Sequence, residues 1–182
     1  MRLWPTLPIL LQYFREQTEP YTGDCMNKVE IGQPIPDRNV EATDDHVFRL
    51  TELKGKNVVL YFYPKDNTPG CTTEGQDFRD HYDEFEALNA VVLGISRDDL
   101  KSHESFKSKQ CFPFDLIADT GGALCAAFDV IREKTLYGKK SLGIERSTFI
   151  FDENGTLRQE YRKVKVENHV LTILKDLRAL KG

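Results

Sequence analysis

The stretch Pro64-Lys65-Asp66-Asn67-Thr68-Pro69-Gly70-Cys71-Thr72 decides how the chain is read. An apolar run, Asn57 to Tyr63, leads into it. Apolar residues at helical spacing follow it: Phe78, Tyr82, Phe85 and Leu88. The order is strand, tight Pro/Gly-rich turn, helix. Thr68 suits the position that caps a helix and Pro69 the first helical position. Cys71 therefore falls in the first turn of the helix.

That position bears on chemistry. A thiolate is a good nucleophile and a thiol a poor one. The first helical turn offers unpaired N–H groups and the positive end of the helix dipole. The dipole contributes roughly 0.3–1 kcal/mol, up to ~2 when partly buried. Moving a cysteine pKa from about 8.5 to about 6 takes ~3.4 kcal/mol. The helix falls short. A cation at ~4 Å, with an effective dielectric of ~20, adds about 4 kcal/mol of gross attraction. The reading requires a buried cation from elsewhere in the chain.

Pro64, Thr68 and Cys71 match the Pro-x-x-x-Thr-x-x-Cys signature of peroxiredoxins. The wider run Tyr61-Phe62-Tyr63-Pro64-Lys65 with Thr68-Pro69-Gly70-Cys71-Thr72 resembles their Q-type, or bacterioferritin-comigratory-protein, branch. The resemblance extends from about Met26 to the end. It implies a thiol-dependent peroxidase that reduces hydrogen peroxide and organic hydroperoxides through a sulfenic acid on Cys71. It also implies an antioxidant role, no cofactor and a monomer. The expected reductant is thioredoxin, glutaredoxin or glutathione.

The missing cation is Arg146, in Leu142-Gly143-Ile144-Glu145-Arg146-Ser147-Thr148-Phe149. This run also resembles the family, which places such an arginine beside the reactive cysteine. Read without the resemblance, Arg146 only opens an apolar strand, and a pair with Glu145 or a surface acid is the plain alternative. Thr68 Oγ, the Cys71 N–H and Arg146 are the expected hydrogen-bond donors to a departing oxygen. Pro64 is expected to shape the pocket and exclude water.

Recycling is where the sequence departs from its relatives. Many carry a resolving cysteine five residues after the reactive one, where this chain has Gln76. Others carry it in the next helix, at the place of Lys107. Cys111 is the best remaining internal candidate, its alternative a small buried hydrophobe; Cys25, on the leader, is another that could reach the site. Cys125 lies on the apolar face with Leu124 and Phe128 and reads as core. Without an internal resolver, an outside thiol reduces Cys71 directly. A stoichiometric redox sensor and a non-catalytic thioredoxin-fold binding module are the competing functions.

With 182 residues, 40% hydrophobic and 30% charged, the chain fits one globular domain. A net charge of −4 points to neither nucleic acid nor an anionic membrane. The four cysteines lack metal-ligand or CxxC spacing and suit a reducing, cytoplasmic compartment. His46, His81, His103 and His169 share no metal spacing and read as surface or packing residues. Residues 1–25 read as an unstructured leader or non-native extension, and residues 26–182 as the domain.

The expected architecture is α/β and thioredoxin-like: a central mixed sheet flanked by helices, with an N-terminal β-hairpin of Val40 to Thr43 and His46 to Leu50. Thr51 is expected to cap a helical turn ending at Gly55. A continuous helix is expected from Pro69 to Leu88. Ala90 to Ser96 reads as a buried strand, Asp99 to Gln110 as a helix with Leu100 and Phe106 inward, and Pro113 to Ile117 as a short strand. Gly122 to Phe128 reads as a helix and Glu133 to Gly143 as a loop. Glu145 to Asp152 and Thr156 to Arg162 form a hairpin across Asn154-Gly155. The last helix presents Val170, Ile173, Leu174, Leu177 and Leu180 on one face.

Overall fold

The computed structural model describes residues 28–181. The expected leader, with Cys25, lies outside them. Five strands form the central sheet: β3 (Asn57–Phe62), β4 (Ala90–Ser96), β5 (Asp115–Ala118), β8 (Ser147–Phe151) and β9 (Leu157–Tyr161), in the order β5-β4-β3-β8-β9. β3, β4 and β5 run parallel, and β8 and β9 are antiparallel to their neighbours. The helices are α1 (Pro69–Asp80), α2 (Tyr82–Ala87), α3 (Leu100–Gln110), α4 (Ala123–Ala127) and α5 (His169–Leu180).

Every residue of β3 is buried, as a central strand covered on both faces requires. Alternation splits its side chains between two cores. Val58, Leu60 and Phe62 pack with Phe128, Phe149 and Phe151 on one face. Val59, Tyr61 and Tyr63 pack with Phe78, Phe106 and Leu174 on the other, and Cys71 belongs to this second core. The face of α5 holds as expected at Val170, Ile173, Leu174 and Leu177, while Leu180 is exposed. In α3, Phe106 points inward with His103, and Leu100 is only half-buried.

Three expectations change. The helix after Cys71 breaks at His81, which ends α1 and opens α2 with φ −108° and ψ 12°. Its Nδ1 lies 2.7 Å from Glu84 Oε1, a local contact that favours a new helix start. The apolar spacing runs through the break, so periodicity alone does not reveal it. Thr51 is no cap: it lies inside a 3₁₀ turn, Leu50–Leu53, which Arg49 opens, and its hydroxyl donates to Asp37. The supposed loop from Glu133 to Gly143 is a hairpin, β6 (Ile131–Leu136) with β7 (Lys139–Ile144). Its turn, Tyr137-Gly138, has positive φ at both residues, the geometry that matches strand twist. Polar side chains on both faces concealed it.

The first hairpin, β1 (Asn39–Glu41) with β2 (Val47–Arg49), is shorter than expected but turns at Asp44-Asp45, both with positive φ.

Candidate active site

The site lies beyond the carboxyl ends of the parallel strands, where open α/β sheets place their ligands. β3 delivers the chain at Tyr63, the turn follows, and α1 begins at Pro69. Cys71 is the third residue of α1 and only 2% exposed. A surface cleft of about 450 Å³, lined by Asn57, Asp152 and Arg158 among others, opens at the start of β3 instead.

Sheet register brings Arg146 to Cys71 across 75 positions of sequence. Ser147 pairs with Phe62, so the residue before it stands where β3 gives way to the turn. The Val164 N–H donates to the Arg146 carbonyl and fixes the backbone there (3.0 Å). Arg146 Nη2 then lies 3.3 Å from Cys71 Sγ. Gly70 leaves room for it, since a Cβ there would sit 3.3 Å from the same nitrogen.

The partner of Arg146 is neither Glu145 nor a surface acid. Its Nη1 donates to Glu74 Oε2, and Glu74 is buried one turn after Cys71 on the same helix face. Burial pushes the Glu74 carboxyl up to about 7, against the pull of the guanidinium. Glu74 Oε1 and Tyr61 Oη are both buried without a partner among the described residues. Burial and the nearby Glu74 push the Tyr61 phenol well up, so it stays neutral. Sequence reasoning missed Glu74; its three-residue spacing from Cys71 was the available signal.

His169 is the second missed residue. It is buried at the start of α5, with Nε2 2.8 Å from Thr148 Oγ1. Burial, then the charge of Arg146, pushes its imidazole down to about 4. It adds no second positive charge behind Arg146 near neutral pH.

Thr68 occupies the N-cap position but does not cap through its side chain. Its hydroxyl donates to the Lys65 carbonyl at 2.9 Å. The expected donor is thus committed to the turn, and the oxygen keeps its acceptor capacity. Pro64 is half-buried at the exit of β3.

Cys111 is not a buried hydrophobe. It is exposed, in the left-handed conformation at the end of α3. The adjacent Gln110 binds α1 through Gln76 and Arg79, which places Cys111 beside the later turns of α1. Lys107 is held by Asp44 and Asp115. Cys125 is core, as expected. Among the described residues no cluster of His, Cys, Asp or Glu is placed to hold a metal ion, and no helix is long and apolar enough to cross a membrane.

A buried cysteine at a helix start, facing a half-buried arginine on a thioredoxin-like sheet, defines a thiol-based redox enzyme. The AhpC/TSA family profile matches residues 31–160. Peroxiredoxin Bcp of Bacillus subtilis is 48% identical over 150 residues, covering 82% of this chain and 96% of its own length. Peroxiredoxin Bcp of Xanthomonas campestris is 54% identical over 125 residues, covering 69% and 78%. Among solved structures, the X. campestris bacterioferritin comigratory protein, studied for alkyl peroxide reduction, aligns with a TM-score of 0.78 at 45% identity, covering 85% and 98%. A mutant of PrxQ from Xylella fastidiosa aligns with a TM-score of 0.81 at 41% identity, covering 86% and 99%. The chain belongs to the AhpC/TSA family, in its peroxiredoxin Bcp/Q branch. It is a thiol-dependent peroxidase, which takes a peroxide as substrate and a thiol as reductant.

Proposed function

We propose that Cys71 is the nucleophile. The observation that carries this is the guanidinium of Arg146, 3.3 Å from a sulfur that is 2% exposed. Burial disfavours a sulfur anion, and an adjacent fixed cation offsets that cost. The thiolate attacks one peroxide oxygen as the O–O bond breaks. The sulfur is oxidised to the sulfenic acid level, and the other oxygen takes a proton and leaves as water or an alcohol.

The departing oxygen carries the developing charge, and Arg146 and the Cys71 N–H are placed to meet it. Thr68 has a different role from the expected one. With its hydrogen on Lys65, its oxygen accepts the O–H of the bound hydroperoxide and orients it. Pro64 walls the pocket. Glu74 holds Arg146 in position through its carboxylate.

The resolving thiol comes from outside. Cys111 sits beside the later turns of α1, so a disulfide with Cys71 would require the helix start to unwind until the Cα atoms approach within about 7 Å. Thioredoxin, glutaredoxin or glutathione supplies this thiol to a monomeric enzyme. A cytoplasmic location is supported by Cys71, Cys111 and Cys125 all being unpaired.

Intact mass after one equivalent of peroxide tests the reading on wild type, Cys71→Ser and Cys111→Ser. A gain of one oxygen that depends on Cys71 alone is expected. Loss of two hydrogens, abolished in both variants, would make Cys111 the resolver. No rapid change at Cys71 would overturn the assignment of the nucleophile.

A further inference from the structure

The β6–β7 ribbon is anchored at its base, where Ile144 is buried and Ile131 lies against the first core. Beyond the base, Lys139 to Leu142 are exposed. Six residues per strand, at about 3.4 Å each, carry the ribbon on the order of 17 Å outward. The base adjoins the site: the Glu145 N–H donates to the Val130 carbonyl at 2.7 Å, and Arg146 is the next residue. The tip breaks a local rule. A two-residue turn with positive φ at both positions favours Asn, Asp or Gly. Here the first position is Tyr137, at φ 50°, with its side chain 98% exposed. The left-handed conformation is unfavourable for a bulky side chain, and an exposed ring returns nothing to the fold. Such departures cluster at functional positions.

Charge separates between the two faces of the ribbon. Four cations, Arg132, Lys134, Lys139 and Lys140, stand against one carboxylate, Glu133, in a chain of net charge −4. Register and alternation put Glu133 and Lys140 on one face, where they pair at 2.9 Å. Arg132, Lys134 and Lys139 share the other face with Ser141 and Gly143. Among the described residues of the ribbon, that face holds no carboxylate. Arg132 is held by Asp129 at 3.0 Å. Lys134 lies across Gly143 and donates to the Ile144 carbonyl at 2.7 Å. A carbonyl leaves the ammonium its full charge, so Lys134 and Lys139 make a cationic face.

We propose that this ribbon is the docking surface for a protein thiol reductant whose surface beside its thiol is acidic, with Tyr137 as the anchor at the tip and Lys134 and Lys139 as the charged face. Charge sets the occupant: an acidic surface is attracted to this face and a basic one repelled. The base of the ribbon sets the chemistry, because a protein seated there brings its thiol to the side of the site that holds Arg146. This docking rests on Cys71 as nucleophile and on an outside protein thiol as its reductant. The reductant's thiolate attacks the sulfur of the Cys71 sulfenic acid, the S–O bond breaks, and hydroxide leaves with a proton as water. A second thiol of the reductant then attacks the mixed disulfide and frees Cys71.

Residues that only seat the reductant touch neither the peroxide nor the sulfur. Their loss therefore shows with a protein reductant and not with a small thiol, a separation that general damage to the fold does not produce.

Steady-state turnover with a thioredoxin of acidic surface, and separately with dithiothreitol, is compared in wild type, Lys139→Glu, Lys134→Glu/Lys139→Glu, Lys140→Glu and Tyr137→Asn. The double reversal is expected to lower kcat/KM for thioredoxin about tenfold or more, mainly through KM. Turnover with dithiothreitol and the rate with peroxide stay within about twofold of wild type. Added salt lowers the wild-type value for thioredoxin and flattens the difference, as the Debye length shrinks from ~10 Å at 0.1 M to ~3 Å at 1 M. Lys140→Glu, on the opposite face, has a smaller effect than Lys139→Glu. Tyr137→Asn separates docking from folding: Asn suits the turn, so stability to denaturant holds or rises while KM for thioredoxin increases about fivefold. Equal losses with thioredoxin and dithiothreitol, or unchanged thioredoxin kinetics in the folded variants, would overturn the docking surface. A change in sedimentation with unchanged thioredoxin kinetics would overturn it too, and make the occupant a second copy of this chain. Should Lys134→Glu disturb the ribbon, Lys139→Glu, at an exposed position, decides. A wild type with no trappable sulfenic acid at Cys71 overturns the nucleophile reading and the docking with it, distinct from a docking failure with that adduct present.

Discussion

Two cysteines in this molecule are placed almost identically and surrounded oppositely. Cys71 is the third residue of α1 and Cys125 the third residue of α4. Both are buried and unpaired. At α4 a carboxylate closes the helix start: Asp119 accepts from the N–H groups of Leu124 and Cys125 at 3.1 and 2.8 Å. Burial, and then that carboxylate, push the Cys125 thiol far up. At α1 no side chain caps the helix start, and the sulfur meets a guanidinium instead. A helix N-terminus does not by itself make a cysteine reactive. On the proposed reading of Cys71 as nucleophile, the sign of the nearest fixed charge decides, because at short range inside a protein it outweighs the dipole.

The comparison breaks most directly at the sulfurs. Cys71→Ser is expected to reduce peroxide consumption to background. Cys125→Ala is expected to leave it at wild-type level and to cost on the order of 1 kcal/mol in denaturant unfolding. Turnover lost in folded Cys125→Ala would mean the two cysteines are not the contrast described.

Next in size is the cation. Arg146→Gln removes a donor aimed at sulfur and oxygen, and a fall of about 10²–10³-fold in the rate with peroxide is expected. Arg146→Lys keeps the charge without the fork that reaches sulfur and Glu74 together, so it recovers only part. A loss below about threefold for Arg146→Gln would return the weight to the helix.

Glu74 sharpens the contrast, since both cysteines have a buried carboxylate nearby and only this one is intercepted by an arginine. Its folded value of about 7 exceeds the ordinary carboxylate value, so the folded state favours the protonated form. Stability is therefore complete at low pH and lost as pH rises from about 4.5 through 7. Relative to wild type, Glu74→Gln should gain on the order of 3 kcal/mol across that window, by denaturant titration at each pH. His169 runs the other way. Its folded value of about 4 lies below the ordinary imidazole value, so stability is lost as pH falls from about 6.5 to 4. The variant His169→Asn should lack that acid loss.

The smallest effect is expected at Gly70. A methyl group there would press on Arg146 Nη2 at 3.3 Å, and the guanidinium, a flexible end, shifts by a few tenths of an ångström. Gly70→Ala should slow the peroxide step less than about tenfold with no change at Cys125, as read by alkylation of unfolded protein.

Much of this was legible along the chain. The turn from Pro64 to Thr72 specified a strand, a helix start and the place of Cys71 in its first turn. The nearly unbroken apolar run from Asn57 to Tyr63 specified a central strand. The Asn154-Gly155 turn specified the last hairpin. These are local signals, carried by φ preferences, capping chemistry and hydrophobic period. The break at His81 and the β6–β7 hairpin were not legible: the apolar period continues through the first, and the second buries too little to leave a pattern.

The site divides along the same line. Sequence alone determined that Cys71 opens a helix, because that depends only on its neighbours in the chain. That Arg146 reaches it was implied by resemblance, and the register of β8 against β3 decided it. Only the tertiary structure revealed Glu74 as the arginine's partner, His169 buried against Thr148, and the Thr68 hydroxyl as a donor to Lys65. Each depends on partners between 3 and 72 positions away, and a buried charge takes its meaning from what faces it.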